Sequence, residues 1–560
     1  LFTTAGLLKC DGAFFSWLRS RDPDLLEQLN AYRHHGWGEG VELSEFLIKS
    51  SQHLEAFIAQ SFSIEKDVAS LNEDVKSEQT VFLFKQYFVL KKARRLISKV
   101  DSLPPFADLD VKLKQALNLF CGSFSEMSLS RYGLSLLDDE LLNQDSINVV
   151  VQWCTHQLVN PGQASTSSSW VVFKIPAKAD FQQLIPLHKI DDYTSEIQSG
   201  YQRSREGFAL TDSRMSLRQV MNEVDHCVYC HEKEGDFCST GFPEKKGKPE
   251  LGYKSNALNE LLVGCPLDEK ISEMQLLKKQ GFNIGALAVI MIDNPMCPAT
   301  GHRICNDCMK ACIYYKNEPV NIPEIETRVL TDVLSLPWGV EVYDLLTRWN
   351  PLRREQYVMK PYNGAKILVM GMGPAGFTLA HHLLMDGFAV VGADGLKLEP
   401  LDDQWVKLPV RDFQSIEEQL DERIVTGFGG VSEYGITVRW DKNFLKLILM
   451  SLLRKQCFQV VGSIRFGGTL TVEDAWSFGF DHLAVAVGAG LPRELMIENS
   501  LAVGMRQAND FLMALQLTGA QKKNSLANLQ IRMPIVVVGG GLTGVDAATE
   551  AQAYYLLQIE

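Results

Sequence analysis

Eight of the chain's twelve cysteines fall between residues 227 and 312, and this crowding constrains the fold more than any other feature. The first group reads HCVYCHEKEGDFC and supplies Cys227, Cys230 and Cys238. Gly264-Cys265-Pro266 follows, and GHRICNDCMKAC then supplies Cys305, Cys308 and Cys312, with Cys297 just ahead of it. A 560-residue chain without a recognisable secretory signal is a poor candidate for a disulfide framework, so the crowding points to metal. A C-x2-C turn sets two thiolates on one face, and a Cys before Pro ends the ligand runs of bacterial ferredoxins, where it serves the neighbouring cluster. Two C-x2-C pairs also suit a four-thiolate zinc site. Seven thiols in line exceed what one zinc needs, so two iron–sulfur clusters are expected and zinc is the competing reading. Cys10, Cys121, Cys154 and Cys457 read as small core residues.

The second constraint is AKILVMGMGPAGFTLAHHLLMDGFAVVGADG, a strand, a glycine turn, a helix, a stop at Gly387 and a second strand ending on an acid. Gly371 permits the tight turn, Gly373 lets the backbone approach a pyrophosphate, and Gly376 lets helix and strand pack closely. The helix N-terminus at Pro374 and Ala375 offers free N–H groups and a partial positive charge. Asp394 stands where a ribose hydroxyl is bound. His381 and His382, inside the helix, read as packing or surface residues. A second unit, MPIVVVGGGLTGVDAATEAQAYYLL, repeats the pattern with Gly539, Gly541 and Gly544. The chain stops inside its helix, before the strand that distinguishes NADH from NADPH, and the expectation is a piece of a longer polypeptide. A leading Leu in place of Met points the same way at the other end.

Residues 1–145 carry apolar residues at three- and four-residue spacing, as in DPDLLEQLNAYR, GVELSEFLIKSSQHLEAFIAQSF and DVKLKQALNLF, which predicts helices. Asp22-Pro23 reads as an N-cap and first helical position. INVVVQWCTH and SSSWVVFKIP, separated by the turn-rich NPGQASTSSS, predict a strand pair across 147–175, with Cys154 and His156 on one strand and no metal role for that pair. A connection through 181–225 ends in a helix. IGALAVIMI at 284–292 is half a membrane span, so a buried helix or strand is expected there. Short buried strands are expected at 480–487 and 534–538. The net charge of −13 argues against a nucleic-acid binder.

These motifs together resemble the iron–sulfur and flavin regions of the glutamate synthase small subunit, shared with the N-terminal part of dihydropyrimidine dehydrogenase, in the pyridine nucleotide-disulfide oxidoreductase superfamily. That family places C-x2-C, a third Cys, GCP, about forty residues, a TGR-type turn and three cysteines in this order. The resemblance implies that Cys227, Cys230, Cys238 and Cys312 hold one 4Fe–4S cluster and that Cys265, Cys305 and Cys308 hold the other. Its fourth ligand is then Glu326 in PVNIPEIE, with Glu324 as the alternate. The chain departs from the pattern in a longer gap before Cys238, a shorter one between Cys305 and Cys308, and the extra Cys297, which could replace Cys305. The Pro-Ala within GPAG resembles FAD sites, and GGVSEYGITVRW resembles the stretch near the flavin, implicating Gly430, Tyr434 and Gly435. HLAVAVGAG resembles the strand and turn that bring Gly488 and Ala489 to the cofactor. Thr543 and Asp546 fit the NAD(P)H pattern of the second unit. The resemblance covers 226–560 and leaves 1–225 outside it.

The expected architecture is multidomain: a helical N-terminal domain at 1–145, a strand pair and linker at 146–225, and an α-helical two-cluster domain at 226–345. A Rossmann-type α/β FAD domain follows at 364–530, with the start of an incomplete, inserted NAD(P)H domain at 531–560. The expected function is an NAD(P)H-dependent oxidoreductase carrying electrons between NADPH or NADH, FAD and two 4Fe–4S clusters, to or from a partner protein or domain. Hydride transfer requires no acid–base or nucleophilic side chain, so no catalytic residue is nominated. Alternatives are a ferredoxin:NAD(P)H oxidoreductase, bifurcating or not, and a non-catalytic electron-wiring or assembly subunit docked by its N-terminal region. A cytoplasmic oligomer without a membrane span is expected.

Overall fold

The computed structural model describes residues 3–160, 167, 169–198, 207–211, 214–233, 235–302, 304–423, 425–436, 438–489 and 495–560. Among these, the N-terminal part is helical: α1 (Thr4–Arg21), α2 (Pro23–His35), α3 (Gly40–Phe62), α4 (Glu65–Phe84), α5 (Phe106–Cys121), α6 (Glu126–Ser135) and α7 (Gln144–Val159). The Asp22-Pro23 signal is realised as read. The Asp22 carboxylate accepts from Leu25 N at 3.2 Å, Pro23 opens α2, and Gly36 ends it in the left-handed conformation.

Helix α7 replaces the expected strand pair. Ile147, Val150, Val151 and Cys154 fall on one helical face and are buried, and Trp153 is buried with them among Phe106, Phe124, Trp170 and Phe173. A β-rich composition yields here to burial on a helix packed against α5. The second expected strand is a 3-10 turn at Val171–Phe173. Residues 161–166 and 168 of the intervening turn lie outside the described residues. The strands described in the linker are the exposed antiparallel pair β1 (Leu187–Lys189) and β2 (Ser195–Ile197).

The cysteine region carries α8 (Leu217–His226), α9 (Phe237–Thr240), α10 (Ile271–Gln280), α11 (Asn283–Asp293), α12 (Asp307–Lys310), α13 (Ile322–Leu334) and α14 (Gly339–Arg348). Helix α11 is the apolar segment at 284–292, buried from Asn283 through Met291. The N-terminal helices join the same core. Glu55 of α3 accepts from Ile284 N (2.8 Å) and Gly285 N (3.1 Å), satisfying free amides of α11. Trp349 packs on Phe14 and Phe57 and donates its indole N–H to Asp11 at 2.8 Å.

The last part contains β3 (Lys366–Met370), α15 (Pro374–Met385), β4 (Ala389–Ala393), α16 (Asp403–Lys407), α17 (Val431–Tyr434), α18 (Asn443–Leu453), β5 (Phe458–Val461), α19 (Val472–Ser477), β6 (His482–Val485), α20 (Ala508–Leu517) and α21 (Leu542–Ile559). Four parallel strands run in the order β5-β4-β3-β6. β3 is paired on both sides and its last four residues are buried, as the apolar run KILVM requires. The strand expected at 534–538 is not formed. Val536 and Val538 are 82% and 71% exposed, and no described strand lies beside them to accept or donate ladder hydrogen bonds. No helix among the described residues is long and apolar enough to cross a membrane.

Candidate functional site

The first glycine turn closes as its sequence demands. Gly371 has φ +97°, and a Cβ there would lie 2.3 Å from Ala486 O at the end of β6. A Cβ on Gly376 would lie 1.8 Å from Gly371 O, so the helix can seat this close to the turn only without a side chain. Gly373 differs: a Cβ there would meet nothing nearer than Gly430 Cα at 3.7 Å and Gly429 O at 3.8 Å. The turn lies close against the Gly429–Gly430 backbone, where a Cβ on Gly430 would meet Gly373 Cα at 2.9 Å, with Pro374 and Ala375 exposed at the helix N-terminus. Asp394 ends β4, buried, and accepts from Met372 N (2.7 Å) and Leu396 N (2.9 Å). Two backbone bonds leave an ionised carboxylate further lone pairs for a ribose hydroxyl. Burial, and then the Asp394 charge, push the Tyr434 phenol upward. Gly488, at φ +69°, and Ala489 follow β6, both exposed. The residues nominated from sequence thus converge at the C-terminal ends of β3, β4 and β6, where open α/β sheets bind ligands. This backbone cradle fits a dinucleotide.

Sequence reasoning missed the charged floor under this site. Arg423 pairs with Glu433, Lys442 donates to the Glu433 carbonyl, and all three are buried. Nothing in a single sequence marks these residues as neighbours. His381 is fully buried and both ring nitrogens lack a hydrogen-bond partner; burial holds it neutral, well below the ordinary histidine value. It packs and does not reach the turn.

The second glycine turn forms the same local closure. A Cβ on Gly544 would lie 2.4 Å from Gly539 O, and Gly541 caps α21. Thr543 is exposed beside it. Asp546 instead points back to the flavin-side segment, paired with Arg439 at 3.1 Å and only 4% exposed.

The cysteines sort into two groups. Gly264, at φ +82°, brings the GCP turn against α9: a Cβ there would lie 2.3 Å from Ser239 O, and Cys265 N donates to Cys238 O at 2.8 Å. Burial pushes the Cys227 thiol up to about 12, with Cys230 and Cys312 adding to it. Cys238 is raised by burial, then by Asp236, Cys312, Cys227 and Cys230. These four thiols therefore share one neighbourhood. The second neighbourhood holds Cys308, raised by burial and then by Glu326, Cys265, Cys305 and Glu269. Glu326 is buried and pushed up to about 7, its carboxylate accepting from Thr300 Oγ1 at 2.7 Å. Glu324 is engaged elsewhere, with His302 at 2.9 Å. Cys297 is buried beside Glu326 and Glu269. Glu269, 6% exposed, was not visible as a candidate, because an acid in the loop CPLDEK reads as a solvated one. All twelve cysteines are free thiols. Among the described residues, no three His, Cys, Asp or Glu side chains come close enough to share a single metal ion. Arg303 of the TGR-type turn lies outside the described residues.

Sheet and turn form an α/β domain with the glycine turn that dinucleotide-binding domains use. Residues 365–556 match the family described as pyridine nucleotide-disulphide oxidoreductase. The family implies FAD and NAD(P)H binding and a flavin-dependent oxidoreductase domain. Residues 1–63 match a separate family, the RP005 N-terminal alpha-helical domain. The chain is similar to the protein RP006 of Rickettsia prowazekii (strain Madrid E), 51% identical over 265 residues, or 47% of this chain and 37% of that protein. RP005 of the same organism is 26% identical over 296 residues, 49% of this chain and 94% of that protein. The glutamate synthase [NADPH] small chain of Bacillus subtilis (strain 168) is 24% identical over 304 residues, 52% of this chain and 51% of that protein. The chain thus spans about a third of RP006 and half of the Bacillus protein.

Proposed function

We propose that this chain is an NAD(P)H-dependent flavin and iron–sulfur oxidoreductase that passes electrons to or from a partner protein or domain. The observation that carries the iron–sulfur part is the sorting of seven thiols into two groups whose membership crosses the sequence: Cys312 joins Cys227, Cys230 and Cys238, and Cys265 joins Cys305 and Cys308. That interleaving is what two clusters sharing one segment require, and a single zinc site has no use for it. Glu326 completes the second group as an oxygen donor. The similarity to glutamate synthase small chains supports the same reading.

When bound, FAD would accept hydride from NAD(P)H and release electrons singly, and the clusters would carry them one at a time. The chain's own part is positioning. The α15 N-terminus would offer N–H groups to the pyrophosphate, Asp394 would accept from the ribose, and the residues from Gly430 to Gly435 would help to hold the cofactor. Cys230, Cys238 and Cys312 are buried, and Cys227, Cys265, Cys305 and Cys308 are half-buried. Such thiols stay reduced in the cytoplasm, where this reading places the protein.

The test is anaerobic purification of the full chain, with iron, sulfide and flavin measured per chain, followed by titration with NADPH and NADH. Stoichiometric iron and sulfide with flavin bleached by one nucleotide is the expected result. A colourless, iron-free chain would sink the cluster reading. Bleaching only in the presence of a co-purified partner would favour a wiring subunit.

A further inference from the structure

A cavity of about 260 Å³ opens between α7, the 3-10 turn at Val171–Phe173 and α8, in the part of the chain that precedes the first thiol. Small-molecule sites span roughly 300–1,000 Å³, so the space suits a small ligand. Two of its lining side chains are buried amides. Gln157 of α7 is 1% exposed; its Oε1 accepts from Ser167 Oγ at 2.8 Å, and its Nε2 has no hydrogen-bond partner. Asn222 of α8 is 5% exposed; its Oδ1 accepts from Lys85 Nζ at 2.6 Å, and among the described residues its Nδ2 makes no hydrogen bond. Lys85 opens a π-helical turn, Lys85–Leu90, and also donates to the Lys174 carbonyl at 2.6 Å. Such turns are rare and recur at functional sites.

The acids of α6 and α8 do not line the cavity. Glu126 accepts from Val172 N at 2.9 Å and from Arg218 at 3.2 Å, and Glu223 accepts from Asn321 N at 3.1 Å. Both amide oxygens are thus satisfied by the protein, while both amide NH2 groups are left over. A buried donor without a partner is costly, and an acceptor carried in by a ligand removes that cost. Trp170, Phe173 and Met215 complete the wall. The Trp170 and Phe173 rings lie 10° from parallel, with centroids 6.4 Å apart, and flat apolar bodies pack well on such faces.

We infer that this cavity binds a small aromatic molecule bearing a carboxamide or carboxylate, whose oxygen accepts from Gln157 and Asn222 and whose ring lies against Trp170 and Phe173. The site requires neither iron nor flavin, so it stands or falls apart from the oxidoreductase reading.

The experiment titrates the full chain with benzamide, benzoate and benzylamine, read by tryptophan fluorescence and by ligand-observed saturation-transfer NMR. Benzamide or benzoate is expected to bind saturably, and the tighter of the two identifies the oxygen group. Benzylamine brings donors in place of an acceptor and is expected to bind at least about tenfold more weakly. Gln157→Met keeps the side chain's length and removes its donor. It is expected to weaken the better ligand about tenfold, with thermal melting as the check on folding. Failure of both benzamide and benzoate to bind, or equal binding of benzylamine, overturns the inference without recourse to a variant. A folded Gln157→Met chain that binds as tightly as the unsubstituted one overturns it as well.

Discussion

The chain contains the same glycine turn twice, and the two copies differ in everything around the turn. At Gly371 and at Gly539 the third glycine of the motif sits against the carbonyl of the first, at a distance no Cβ could tolerate. At the first copy the preceding strand lies between two parallel neighbours and is buried. At the second, the equally apolar MPIVVV is unpaired and largely exposed, though its helix α21 is docked by Arg439 and Asp546. The comparison teaches that a GxGxxG motif encodes a turn and a helix start, whereas a strand exists only where neighbours complete its ladder.

The largest expected effect tests that difference directly. Leu368→Ala in β3 should lower stability by about 2–5 kcal/mol, while Val536→Ala should change it by less than about 0.5 kcal/mol. Denaturant melts of the full chain measure both, and equal effects would break the comparison. Next come the turns themselves. Gly376→Ala should cost roughly 1–3 kcal/mol by overpacking and remove most bound flavin, read as the flavin-to-protein absorbance ratio. Gly544→Ala should leave that ratio unchanged and weaken nucleotide binding, because its turn stands apart from the first sheet.

Smaller effects sharpen the comparison. Asp394→Ala strips Met372 N and Leu396 N of their acceptor, and should weaken flavin retention on dilution by a factor of about ten, equivalent to roughly 1.4 kcal/mol. The smallest concerns docking of α21. Arg439→Ala removes one partner of Asp546 and should destabilise the 535–560 segment by about 1 kcal/mol. Limited proteolysis should then cut that segment faster while the sheet survives; uniform loosening of the whole chain would show that α21 belongs to the core.

Much of the site was legible because its residues carry constraints that act locally. The Asp22-Pro23 cap, the Gly371 turn with Asp394, and the Gly264-Cys265-Pro266 turn all follow from bonds and close contacts within short stretches. The β-branched residues around Val149 to Val151 misled for the complementary reason: strand propensity is a weak bias, and the core beside α5 offered a helical face somewhere to go. MPIVVV misled because apolar content predicts burial only when a partner surface exists. Glu269 was invisible because the Asn294 amide that bonds it lies twenty-five residues away.

The sequence alone determined the chemistry available to this protein: thiols crowded into one segment and two turns whose close contacts admit only glycine. Those properties depend on covalent geometry and excluded volume, which act over a few residues. The tertiary structure decided which thiols become neighbours, that two buried carboxylates share the Asn294 amide, and that one glycine turn is backed by a sheet while the other is not. These depend on burial and hydrogen bonding between distant segments, and no local pattern records them.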